Sequence, residues 1–116
     1  MRKPIRESIP LAFLVLAFGC TTVEASRLYA SGTDALERGD SAQAVADLEQ
    51  AATLMPEASP VHNHLGLAYA GAGRDTEATA AFRRAVELDC SNDAAQHNLR
   101  AAEAGRLRPA EGPDEL

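Results

Sequence analysis

Tryptophan is absent from the 116 residues, and aromatic residues of any kind make up only 4%. β-Branched residues are few as well, so the side chains that stabilise sheets are in short supply. In their place stand 24 alanines, which predict close-packed helices. Basic residues are also scarce, with 11 Lys and Arg against 17 Asp and Glu for a net of −6. Binding to a phosphate backbone needs a basic patch, so no nucleic acid partner is expected. No apolar run reaches the 18 or more residues of a membrane-crossing helix. At 12.2 kDa there is room for one small domain.

Residues 1–20 differ in character from the rest of the chain. Arg2, Lys3 and Arg6 make a positive start, diluted by Glu7, and Leu11 to Phe18 is an unbroken apolar run of eight. A charged start, a short apolar run and small residues at its end are the plan of a secretory signal peptide. The ending Leu16-Ala17-Phe18-Gly19-Cys20 resembles a bacterial lipobox. That resemblance implies cleavage after residue 19 and acylation of Cys20, with residues 20–24 as a lipidated tether. The usual Leu three residues before the Cys is replaced by Ala17, and bulky Phe18 comes next. Thr21 stands where Asp would retain such a lipoprotein at the inner membrane, which points to the outer membrane. The mature chain would have 97 residues, 8 arginines and 16 carboxylates, a net of −8. With Cys20 consumed, Cys90 has no intramolecular disulfide partner.

A 34-residue period organises the remainder. It places Gly32 on Gly66, Gly39 on Gly73, Ala44 on Ala78, Ala46 on Ala80, Ala51 on Ala85 and Leu54 on Leu88. Apolar residues at i, i+4 and i+7 (Leu28, Gly32, Ala35; Ala44, Leu48, Ala51) give each helix one buried stripe. Turns at Arg38 to Ser41 and Ala70 to Asp75, and Pro56 with Ser59-Pro60, predict helices over 24–38, 41–54, 59–71, 75–88 and 92–105. Asp40 or Ser41, and Asp75, are the expected N-caps. The segment His62 to Tyr69, with Ala78, Phe82 and Ala85 after it, resembles the tetratricopeptide repeat. Here His62 replaces the signature Trp, and Cys90 the closing Pro, where a small apolar filler is the simplest role. The resemblance implies an all-α helix-turn-helix solenoid: repeats at 25–58 and 59–92, a capping helix at 93–105, and a disordered tail at 106–116.

Candidates for chemistry are almost absent. No strand-turn-helix nucleophile context exists. His62 and His64 point about 200° apart on a helix and cannot share a metal; His64 and His97 could approach across neighbouring helices but lack a third ligand. No catalytic residue, metal or cofactor is therefore expected.

Binding remains. In the family that the repeats resemble, the first helix of each repeat lines a concave groove that takes a protein or peptide. Carried onto this chain, the groove comprises Tyr29 and Thr33, then Asn63, His64 and Leu67, then His97, Asn98 and Ala101. Relatives that clamp a C-terminal carboxylate use Lys and Arg in this stripe, and here it has neither. The expectation is a non-catalytic scaffold or adaptor, lipid-anchored in the bacterial envelope and facing the periplasm. Its setting would be assembly of a pilus, a secretion channel or an outer-membrane complex. The alternative is a small homodimeric lipoprotein whose groove is used for self-association, with exposed Leu28, Leu36 or Leu99 seeking a second surface.

Overall fold

The computed structural model describes residues 11–107. The start of the expected signal peptide at 1–10, and the part of the expected tail at 108–116, lie outside the described residues. Five helices succeed one another: α1 (Leu11–Glu37), α2 (Ser41–Leu54), α3 (Ser59–Gly71), α4 (Asp75–Leu88) and α5 (Asp93–Glu103). There is no strand among the described residues. The all-α class and the short helical-repeat solenoid both hold.

Local chemistry explains where the helices stop. Gly39, Gly73 and Gly105 adopt φ of 74°, 75° and 68°, where a Cβ would be strained. Beyond them the amides of Asp40, Arg74 and Arg106 donate to the carbonyls of Ala35, Tyr69 and Ala101, at 2.9, 2.8 and 2.9 Å. All three odd-numbered helices thus close by the same left-handed glycine turn. Asp40 caps α2 by accepting from the Gln43 amide, and Asn92 caps α5 by accepting from the Ala95 amide. Asp75 does not cap α4, contrary to expectation. Arg74 occupies that position without a side-chain capping bond, which puts Asp75 in the first turn, favourable for a negative charge. The middle three helices have the bounds that the sequence predicts. α1 instead begins at Leu11, because Gly19 alone is too weak a breaker to divide the apolar run from the repeat.

Successive helices pack antiparallel as pairs, α1 with α2 and α3 with α4, while α2 meets α3 and α4 meets α5. The odd-numbered helices also touch in turn, so α1, α3 and α5 share one side. The core is mostly alanine, filled out by Val45, Leu48, Val61, Leu65 and Phe82. Small residues let the helix axes approach. A Cβ on Gly32 would lie 2.5 Å from Leu48 Cγ, and one on Gly66 would lie 2.5 Å from Phe82 Cε1. These two contacts are the same contact one repeat apart.

Both outer helices depart from the interior pattern. On α3, Val61, Leu65 and Ala68 are buried. Their counterparts on α1 are Arg27, Ser31 and Asp34, all exposed, so this side of α1 is solvated. The counterpart of Gly32 and Gly66 on α5 is Arg100. A helix packed on α5 as α2 packs on α1 would collide with that side chain. The expected exposure of Leu28, Leu36 and Leu99 does not hold, since neighbouring helices leave all three half-buried. Leu36 packs against the main core cluster. Cys90 is exposed in the turn between α4 and α5, so it is not an apolar filler.

Candidate protein-binding face

α1, α3 and α5 present one side of the solenoid, and the eight groove candidates lie on these helices. None of the eight is charged. Tyr29, Thr33, His64, Leu67, Asn98 and Ala101 are half-buried, and His97 is exposed. Asn63 is only 6% exposed, so it belongs to the wall between helices rather than to an open surface.

Two polar pairs hold these helices together. His64 Nδ1 lies 2.8 Å from the Pro60 carbonyl, which can only accept, so this nitrogen carries the hydrogen. The Tyr29 hydroxyl oxygen, 3.1 Å from the same nitrogen, accepts the other branch of a forked bond. The two rings meet edge to face, with centroids 5.4 Å apart and planes at 83°. From α5, Asn98 Nδ2 donates to Asn63 Oδ1 at 2.9 Å. Tyr29 and Asn63 are one period apart, as are His64 and Asn98, so the same offset pairing links α1 to α3 and α3 to α5. Burial pushes the Tyr29 phenol pKa above its ordinary value. Thr33 donates to the Ala30 carbonyl of its own helix at 2.9 Å. Leu67 and Ala101 are the apolar members of the set, and both are half-buried.

Other buried bonds escaped the sequence reading. Asp47, 7% exposed, accepts from Ser31 Oγ at 2.6 Å and from Gln43 Nε2 at 2.9 Å. Ser59 Oγ donates to the Ala85 carbonyl at 2.8 Å and accepts from Asn92 Nδ2 at 2.8 Å. Asn92 thereby caps α5 and fastens it to α3 at once. Serine and asparagine at helix starts signal caps, and nothing local signals the second bond. His62 Nε2 lies 2.9 Å from the Pro56 carbonyl, so this nitrogen is the donor.

Away from this face, Tyr69 bridges the back of the fold. Its hydroxyl donates to Glu49 Oε1 at 2.6 Å, and the Arg74 guanidinium sits 4.7 Å from its ring centroid. Burial, then the bond to Glu49, push its pKa up to about 12. The folded state thus favours the neutral phenol more than the unfolded state does. Stability from this group is full below about pH 10, the unfolded phenol value, and is lost as pH rises toward the folded value. Chemical denaturation carried out from about pH 9 to 12 should show that decline. Tyr69→Phe should flatten it, with only the Tyr29 share remaining.

Four surface arginines are matched by carboxylates. Arg38 pairs with Asp34, Arg74 with Glu77, Arg83 with Glu103 at 3.4 Å and Arg84 with Glu87 at 3.7 Å. These exposed pairs contribute little to stability. Among the described residues, no group of three or more His, Cys, Asp or Glu is placed to hold a metal ion. No helix among them is long and apolar enough to cross a membrane.

Comparison with known proteins is consistent with a helical unit of this kind. The family described as bacterial transcriptional activator domain matches residues 19–102, most of the chain. No curated protein matches it.

Proposed function

The chain belongs to the bacterial transcriptional activator domain family, and from that premise we propose that it is a non-catalytic protein-binding module of the tetratricopeptide type. Its partner is a protein segment bound on the side shared by α1, α3 and α5. The observation that carries this reading is an uncharged face of Tyr29, His64, Leu67, Asn98 and Ala101, held in register by repeated polar pairs. Hydrogen-bonding side chains together with apolar Leu67 and Ala101 suit a helix or extended peptide, and the lack of Lys and Arg disfavours a terminal carboxylate as the main anchor.

The family's description speaks of transcriptional activation, while the role proposed for this chain is protein binding. The net charge of −6 argues against direct contact with nucleic acid. The N-terminal pattern favours a different setting, with Cys20 acylated and the module held in the bacterial envelope, facing the periplasm from the outer membrane. A role in assembling an envelope complex fits that placement. Cys20 through Glu24 are exposed residues of α1 ahead of Ala25, the first buried side chain described, which leaves Cys20 accessible to acylation.

Photo-crosslinking tests the binding face. A crosslinking residue in place of Thr33 or Leu67 should capture a discrete protein, whereas one at exposed Ala46 on α2 should not. Capture from position 33 should disappear when Ala101→Arg places bulk and charge on this face. Equal capture from 33 and 46 would refute the assignment of this face.

A further inference from the structure

We propose that the end of the solenoid beside Cys20 is a lipid-contact face, on which Val23, Leu28 and Leu54 rest against the bilayer surface. This inference rests on the acylation of Cys20 proposed above. Val23 and Leu54 are the exposed large apolar side chains among the described residues, at 59% and 39%. They are grouped rather than scattered. One shallow cleft is lined by Cys20, Val23, Glu24 and Arg27. A second is lined by Glu24, Leu28, Gln50, Thr53 and Leu54, and Glu24 borders both. Cys20, Val23 and Arg27 are spaced at three- and four-residue steps, which places them along one side of α1. Leu28 lies about 12 Å along the helix axis from Cys20, so anchor and apolar end are close together.

The second repeat has no such end. The counterparts of Val23, Leu28 and Gln50 are Glu57, His62 and Arg84, and the counterpart of Leu54 is Leu88, which is half-buried. Among the described residues, the exposed large apolar side chains therefore lie near the anchor.

Size and charge identify the occupant. A stable dimer buries about 800 Å² per partner, more than two exposed apolar side chains beside shallow clefts can supply. A surface brought near by a covalent anchor needs much less affinity, because the tether raises its effective concentration. Glu24 and Arg27 cancel in charge, which suits a zwitterionic headgroup layer better than a strongly anionic one. The alkyl stem of Arg27 can lie along the apolar side while its head reaches phosphate. Such seating would fix the orientation of the whole solenoid relative to the bilayer.

The test uses the full chain, purified from bacterial membranes and reconstituted into phosphatidylethanolamine-rich vesicles that carry a headgroup quencher. In a Cys90→Ser background, a fluorophore is attached through Gln50→Cys, or through Arg84→Cys at the counterpart position. Quenching should be several-fold stronger at 50 than at 84. Val23→Asp combined with Leu54→Asp should erase that difference while the chain stays on the vesicles and keeps its helical circular dichroism. Equal quenching at both positions, with the acyl mass on Cys20 present, overturns the lipid face and leaves the anchor intact. Absence of the acyl mass removes the anchor and this inference together. Self-quenching at 50 that is lost when chains are diluted among vesicles assigns the face to a second copy, and overturns it as well.

Discussion

Phe82→Ala should destabilise the domain by about 3–5 kcal/mol, enough to leave much of it unfolded near physiological temperature. Phe82 is fully buried on α4 and is the only aromatic side chain among the buried core residues described. Its ring lies where a Cβ on Gly66 would be, so neighbouring alanines are too small to fill the space that it leaves. The opposite change tests the same contact. Gly66→Ala should cost about 1–3 kcal/mol through overpacking, less the roughly 1 kcal/mol that Ala gains over Gly inside a helix. Combining Gly66→Ala with Phe82→Leu should recover part of that loss, because the shorter side chain yields the space. Urea midpoints of the four proteins form a double-mutant cycle, and strict additivity would show that the close approach of α3 and α4 is not tight. The same experiment at Gly32 and Leu48 should behave alike, since it is the same contact one repeat earlier.

Cys20→Ser should move the protein from the membrane fraction to the soluble fraction and abolish acyl labelling. One acyl chain binds a bilayer only marginally, at about 0.8 kcal/mol per buried methylene, while two or more anchor stably. Loss of the thiol removes the site for the first of them and the processing that exposes the amine for the next. The fold should be indifferent to the change, because Cys20 is exposed and the buried side chains described begin at Ala25. Fractionation and thermal melting should therefore separate, with the first altered and the second unchanged. A wild-type chain found soluble and unlabelled would leave the interaction role standing and remove the envelope setting.

Helix positions are legible in the chain because the signals that place them are local. Asp40 before α2, Pro56 after it, Pro60 inside α3 and Gly73 beyond α3 each act on the few residues around them. Arg100 stands at the glycine position of the repeat, where Gly32 and Gly66 make close contacts that a larger side chain would not allow. The period also carries Tyr29 to Asn63 and His64 to Asn98, which is why the polar pairs between α1, α3 and α5 repeat.

Burial at the edges is not legible in this way. Leu28, Leu36 and Leu99 have the pattern of loose ends of a short solenoid, yet neighbouring helices half-cover each one. Cys90 occupies the place of Pro56 and so resembles filler, but that turn faces solvent. Asn63 has the register of a surface residue and is buried against Asn98.

The repeat period, the glycine turns and the alternation of small and large core residues are properties of the chain taken a few residues at a time. They are enough to specify five helices and their pairing. The bonds from Tyr29 to His64 and from Asn63 to Asn98 join residues 35 apart, one more than the period. That offset arises from how far one helix slides along its neighbour, which depends on how the alanine-rich surfaces interlock. The gathering of Val23, Leu28 and Leu54 beside Cys20 has the same origin, because it needs α2 to return alongside α1. Local chemistry placed the helices, and packing between them chose which side chains were joined, covered or left exposed.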